Sequence, residues 1–319
     1  MLRRFFHALL IATCLSIPGV HADNQRLPTY VPALNITGTL SSVGSDTMVH
    51  IISYWVVGFK RIYPGVQTRI LQAGSGTAPP ALIEGSSNIA PMSRQMNAKE
   101  LQAFEAKFGY RPTEIRVALD ALAVYVNKNN PLQGMTLPQV DAVFSSKRKC
   151  GYDEDLRRWG QFGIEGDWKE RNLSLYGRNL LSGTNAFFAE HALCKGKYKD
   201  GINMLASSHD VVLAVSGNSS GIGYSSVGYT VGGVRSLPIA LKPGDPFIPA
   251  IPENVYSGRY PLTRYLYIYV NKPSKQPLPP LEKEFMKMVL SDQGQATLKN
   301  NGFLALDAKT VQEELAKLE

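Results

Sequence analysis

Ala123-Val-Tyr-Val-Asn-Lys128 and Tyr267-Ile-Tyr-Val-Asn-Lys272 are two nearly identical runs, each with a proline soon after it. Their aromatic and β-branched content suits strands. They bracket residues 129–266, a segment with its own alternation of strand-like and helix-like patterns. A chain that leaves one lobe along the first strand and returns along the second forms a hinge between two lobes. The competing reading is a chance likeness between two buried strands. On the hinge reading, residues 40–122 and 266–319 form lobe one, and residues 123–265 form lobe two.

Working outward, Ile51 to Tyr63 carries apolar residues at helical spacing and stops at Pro64-Gly65. A strand follows at Val66 to Leu71. The turn Ala73-Gly-Ser-Gly-Thr77 leads to a helix at Pro79 to Glu84, a short segment at Asn88 to Ser93, and a helix at Ala98 to Phe108. Leu281 to Leu290 and Val311 to Leu318 read as helices that need a sheet to cover. This alternation is the pattern of α/β domains. Tyr265, Tyr267 and Tyr269 alternate in strand register and read as hinge and core packing rather than a stacking platform.

The 319 residues have 44% hydrophobic and 19% charged side chains, which suits a globular protein of about two domains and argues against a disordered chain. Residues 1–22 stand apart. Arg3 and Arg4 precede the apolar stretch Phe5 to Ile17, and Val20-His21-Ala22 fits a cleavage site, so a signal peptide that ends near Ala22 is expected. Cys14 lies within it, and Ile11-Ala12-Thr13 is a poor match to a lipid-attachment pattern. Residues 23–39 read as an extended leader.

Removing the signal leaves Cys150 and Cys194 as an even pair in an oxidising compartment, which favours a disulfide over two separate buried thiols. The remaining histidines, His50, His191 and His209, have no metal-ligand spacing, so neither a metal nor a cofactor is expected. The formal charge of +8 becomes +6 without Arg3 and Arg4 (32 basic against 26 acidic residues). A positive balance suits anions, and equally nucleic acid or anionic surfaces. Lys147-Arg148-Lys149 lacks interleaved aromatics, and no nucleic-acid partner is expected.

Four segments place hydroxyls, glycines and positive charge at helix starts: Gly44-Ser-Asp-Thr47, Gly74-Ser-Gly-Thr77, Met92-Ser93-Arg94, and Arg178-Asn-Leu-Leu-Ser182-Gly183-Thr184. Unpaired N–H groups and the helix dipole attract an oxyanion there, and a guanidinium adds a planar fork of donors. Each segment alone is more simply a helix cap; four together point to an anion cleft. Three lie in lobe one and one in lobe two. Gly217-Asn-Ser219-Ser-Gly221 matches a nucleophile elbow, but His209 precedes the serine and no histidine follows it, so a turn is the better reading and no enzyme is expected.

Gly44-Ser-Asp-Thr-Met48, Ala73-Gly-Ser-Gly-Thr77, Ser182-Gly-Thr-Asn-Ala-Phe187, Gly221-Ile-Gly-Tyr224 and Asp292-Gln-Gly-Gln295 together resemble the periplasmic phosphate-binding proteins of ABC transporters, in the type 2 periplasmic-binding-protein superfamily. The likeness runs from about Leu40 to the C-terminal helices. It implies two mixed sheets flanked by helices and joined by a two-strand hinge, inorganic phosphate as ligand, an inner-membrane permease as partner, a periplasmic or secreted monomer, and no catalysis. It further implies that Asp46, Thr47, Ser75, Ser93, Arg94, Arg178, Ser182, Gly183 and Thr184 hold the anion. In the family a carboxylate follows the third segment's serine and accepts the ligand's proton; here Arg94 stands there. Either Asp46 takes over that role, or Asp46 pairs with Arg94 and sulfate is less well rejected. A secreted adhesin on the same fold is the alternative function.

Overall fold

The computed structural model describes residues 26–273 and 276–319, so the expected signal peptide lies outside the described residues. The part of the leader that is described lies against the C-terminal helices: the Asp292 N–H donates to Pro28 O (2.9 Å), and the Tyr30 hydroxyl donates to Glu284 (3.0 Å). The first strand, β1 (Gly38–Val43), begins slightly earlier than expected because parallel pairing to β2 (Val66–Leu71) starts at Gly38.

Between them α1 (Val49–Ile62) buries Ile51, Ile52, Trp55, Val56 and Phe59, a stripe at helical spacing that faces the core. After β2 come α2 (Ala78–Glu84), β3 (Ala90–Met92) and α3 (Ala98–Phe108). Asn97 and Glu100 close a capping box at the start of α3, and Gly109 ends the helix in the left-handed region.

The strand that organises the molecule is β4 (Thr113–Asn127). Beyond it lie β5 (Met135–Thr136), α4 (Leu137–Phe144), β6 (Ser174–Arg178), α5 (Gly183–His191), β7 (Asn203–Leu205) and α6 (Ser208–Ser216). Next are β8 (Gly221–Ser226), β9 (Val234–Leu237), β10 (Ile239–Ala240), α7 (Pro252–Tyr256) and β11 (Thr263–Val270). The chain ends with α8 (Pro280–Val289), α9 (Asp292–Lys299) and α10 (Ala308–Ala316).

Residues 113–121 of β4 pair antiparallel with β11, which in turn pairs with β3; residues 122–127 pair with β8 and β9, and β6 and β7 continue that side. One strand therefore runs through both halves of a seven-stranded arrangement, an antiparallel half with β11 and β3 and a mixed half with β8, β9, β6 and β7. The two look-alike runs are not matched hinge strands: Ala123–Asn127 pairs only with β8 and β9, whereas Tyr267–Val270 pairs with β3 and the first residues of β4. The chain crosses between the halves next to Asp120–Leu122 and Leu262–Arg264, where the Leu122 N–H donates to Leu262 O (2.9 Å).

One apolar cluster gathers Trp55, Phe59, Phe285 and Val311, and a second gathers Phe144, Trp159, Phe188 and Tyr224 on the other side of that crossing. Phe188 stacks on Tyr224 with ring centroids 3.8 Å apart, fixing α5 to β8. The Cys150–Cys194 disulfide forms as expected and ties the end of α5 to the segment after α4 across 44 residues of sequence. Replacing both cysteines by serine should cost about 2–5 kcal/mol, read as a lower urea midpoint, with a larger m-value because the unfolded chain is no longer cross-linked.

Candidate functional site

The first segment's Asp46 sits in a short 3-10 turn that feeds α1, and Arg178 ends β6. They come from opposite sides of the crossing and meet: Arg178 Nη2 donates to Asp46 Oδ2 at 2.5 Å, with both residues buried. Arg178 is held in place by Ser208 Oγ (Nη1, 2.7 Å) and Ala206 O (Nη2, 2.8 Å). Among the described residues the other carboxylate oxygen, Asp46 Oδ1, is buried with no hydrogen-bond partner, as are Arg178 Nε and the neighbouring Ser45 Oγ. Three unpaired polar atoms at one place are costly unless a ligand meets them.

Thr47 and Thr184, again one from each side, share a hydrogen bond between hydroxyls at 3.0 Å. Ser75 Oγ accepts from Ser93 N (3.0 Å) and lies 3.2 Å from Ser93 Oγ, so the glycine-rich turn and the end of β3 act as one unit. Gly183 opens α5 directly against that unit: a Cβ there would lie 2.3 Å from Ser75 Oγ and 2.6 Å from Ser93 Oγ. Nearby, Gly76 N donates to Leu181 O at 2.9 Å, a backbone bond between the two sides. Gly74, with φ of 115°, approaches the same carbonyl and leaves no room for a side chain.

Ser182 is the cap of α5; its hydroxyl accepts from Thr184 N (3.2 Å) and Asn185 N (3.4 Å), a structural role that still leaves its proton free to donate. Asp46, Thr47, Ser75, Ser93, Arg178, Ser182, Gly183 and Thr184 are thus gathered in one buried region.

Arg94 is not part of it. Both of its terminal nitrogens engage the Glu100 carboxylate at 2.7 Å, and Nη1 also donates to Gln95 O. Its side chain lines an adjoining groove of about 780 Å³ with Phe187, His191, Arg264 and Tyr265. The expectation of a guanidinium from residue 94 at the anion site, and the alternative of an Asp46–Arg94 pair, are both corrected. The cause is local, since Glu100 has to sit at the third position of α3 to complete the capping box and from there offers Arg94 a forked partner.

Sequence reasoning missed a second buried arginine. Arg264, on β11 opposite Asp120 of β4, donates to Asp120 Oδ2, to Ser93 O and to Thr184 Oγ1, each at 2.9 Å. Burial draws its guanidinium below the usual arginine range, while Asp120 opposes that shift. The missed signal is the cross-strand register, which no linear motif carries. Ser219, from the hydrolase-like pattern, lies exposed in the turn before β8. Among the described residues no cluster of histidine, cysteine and carboxylates is arranged to hold a metal.

A family model described as a PBP superfamily domain matches residues 32–293. The phosphate-binding protein PstS of Pseudomonas aeruginosa is 46% identical over 300 residues, covering 94% of this chain and 93% of that protein. PstS of Staphylococcus saprophyticus is 27% identical, covering 88% and 85%. Among solved structures, an ABC-type phosphate transport receptor from Vibrio cholerae superposes with a TM-score of 0.64 at 19% identity, covering 84% of this chain and all of that one, which is a likeness of fold. With two buried half-sites facing each other across a shared strand, and relatives along almost its whole length, the chain belongs to the PBP superfamily, among the PstS phosphate-binding proteins.

Proposed function

We propose that this chain captures inorganic phosphate between two lobes, outside the cytoplasm, and delivers it to an ABC transporter permease without chemical change. The carrying observation is an unpartnered carboxylate oxygen: among the described residues Asp46 Oδ1 is buried with no hydrogen-bond partner, in the region that also holds Arg178, Thr47, Ser75 and Thr184. A carboxylate needs a proton from its ligand. Hydrogen phosphate has one to give, whereas sulfate at neutral pH has none and would place two bare anionic oxygens together. Asp46 therefore takes the selecting role that residue 94 cannot fill. The names of the relatives support phosphate, and the apolar, basic start of residues 1–22 supports export.

The moving bodies are residues 40–122 with 266–319, and residues 123–265. Phosphate contacts both and so lowers the free energy of the closed form alone; closure follows by population shift. Closed, the protein presents a surface of both lobes to the permease. We take it to act as a monomer.

Calorimetric titration of the ligand-stripped protein tests the reading. Phosphate should bind at least a hundredfold more tightly than sulfate at pH 8, and silence toward both anions would move the adhesin reading to the front. Asp46→Asn should weaken phosphate more than tenfold and narrow the gap to sulfate, because an amide can donate to an ionised oxygen. Arg178→Ala should cost about 3–5 kcal/mol of phosphate affinity by stranding buried Asp46, and wild-type affinity in that variant would remove Arg178 from the site. In Gly183→Ala the new methyl should hold the lobes apart, so that phosphate no longer reduces the radius of gyration in small-angle scattering. A normal decrease would mean that the close approach of Gly183 to Ser75 is not needed for closure.

A further inference from the structure

The two buried arginines differ in what their nitrogens meet. Arg178 leaves Nε without a partner among the described residues, in the same region as the unpaired Asp46 Oδ1. Arg264 has a partner at each of its three nitrogens: Nε donates to Asp120 Oδ2, Nη1 to Ser93 O and Nη2 to Thr184 Oγ1, each at 2.9 Å. Its side chain is 2% exposed and that of Asp120 is 0% exposed. An anion would meet an orphan donor on Arg178 and a guanidinium already engaged by the protein on Arg264.

The partners of Arg264 lie on opposite sides of the molecule's crossing point. Arg264 on β11 and Asp120 on β4 are direct cross-strand neighbours, next to the place where the chain passes between the two halves of the sheet. Asp120 is fixed in turn by β8, since Ser226 Oγ donates to its Oδ1 at 2.6 Å. The guanidinium also lies over the Phe187 ring, 5.5 Å from the centroid. From this anchor one arm reaches Ser93, just after β3, and the other reaches Thr184, in the first turn of α5.

Ser93 belongs to residues 40–122 and Thr184 to residues 123–265, the bodies proposed above to part when the cleft opens. A guanidinium pinned to Asp120 cannot follow both. Whichever body Arg264 travels with, parting them breaks one of its two arms. Both arms are charged donors on neutral oxygens, a stronger class of bond than the backbone contact from Gly76 N to Leu181 O or the hydroxyl contact of Thr47 with Thr184. Neither arm needs an anion to be present.

We propose that Arg264 is a positioning residue for phosphate binding, a clamp between the lobes that holds the closed form without touching the ion. It sets how long the ion is kept, and leaves the choice of ion to Asp46. This rests on the two-lobe phosphate reading above. If the closed form alone holds the anion, the apparent affinity scales with the population of that form. A contact that favours closure and does not meet the ligand then raises the affinity for every anion by the same factor. Because both arms are made only when the lobes are together, the effect falls on release and not on encounter.

The test compares the parent with Arg264→Lys. Lysine keeps a positive charge beside Asp120, so no buried carboxylate is stranded, but its single nitrogen cannot reach both Ser93 O and Thr184 Oγ1. Release is followed by chasing radiolabelled phosphate with unlabelled phosphate, and affinities for phosphate and sulfate are measured by calorimetry and competition. Phosphate should leave the variant at least tenfold faster, with an association rate within threefold of the parent's. The ratio of phosphate to sulfate affinity should stay within threefold. A merely structural arginine would lower the melting temperature of the ligand-free protein and leave the release rate of the folded fraction as it was. An unchanged release rate would overturn the proposal, and so would a shifted phosphate-to-sulfate ratio, which would put Arg264 in contact with the ion. Failure of the parent to bind phosphate would instead overturn the phosphate reading. Should Arg264→Lys fail to fold, Asp120→Asn/Arg264→Met removes both charges and both arms together, and the same release rate and anion ratio decide the outcome.

Discussion

The structure depends most on one contact, the buried pair of Arg178 with Asp46. Each group comes from a different lobe. Bringing both out of water carries a desolvation penalty that their mutual attraction need not repay. The pair is made in this structure, and even so Asp46 Oδ1 and Arg178 Nε have no hydrogen-bond partner among the described residues. A closed form with spare hydrogen-bonding capacity at its centre is poorly stabilised by itself and well stabilised by a small anion that uses that capacity. On the proposed reading, binding and closure are therefore coupled.

The remaining features bring those two groups together. α5 has to begin against the Ser75–Ser93 unit, which requires Gly183 to lack a side chain, and the Gly74 turn has to pass beneath Leu181 O. α5 is in turn fixed at its far end by the disulfide and along its length by Phe188 on Tyr224. α5 has little room to shift toward the Ser75–Ser93 unit, since even a single methyl added at Gly183 would lie 2.3 Å from Ser75 Oγ.

The two arginines with local carboxylate partners show how charge near the site is kept from acting indiscriminately. Arg94 is neutralised by Glu100 outside the site, and Arg264 by Asp120 beneath it. On the proposed reading, selectivity between anions of similar size then falls to the direction of individual hydrogen bonds, with Asp46 accepting from the ligand and the hydroxyls donating to it. Net positive potential brings anions to the cleft; it does not sort them.

From the sequence alone, the alternation of elements was legible, because helix and strand periods are local: Val66–Leu71 and Ala98–Phe108 have the predicted bounds. The hydroxyl and glycine segments were legible too, since the turns and caps that place Asp46, Ser75 and Gly183 are encoded in a few adjacent residues. Three things needed the tertiary structure. The place where the chain crosses between the two halves of the sheet depends on strand register, so the look-alike runs misled and Arg264 went unnoticed across from Asp120. The direction taken by Arg94 depends on competition between a possible ligand and Glu100, six residues away, which spacing cannot decide. The partner of Arg178 depends on how two lobes meet, a contact between residues 132 positions apart, and only the folded chain brings that carboxylate within reach of that guanidinium.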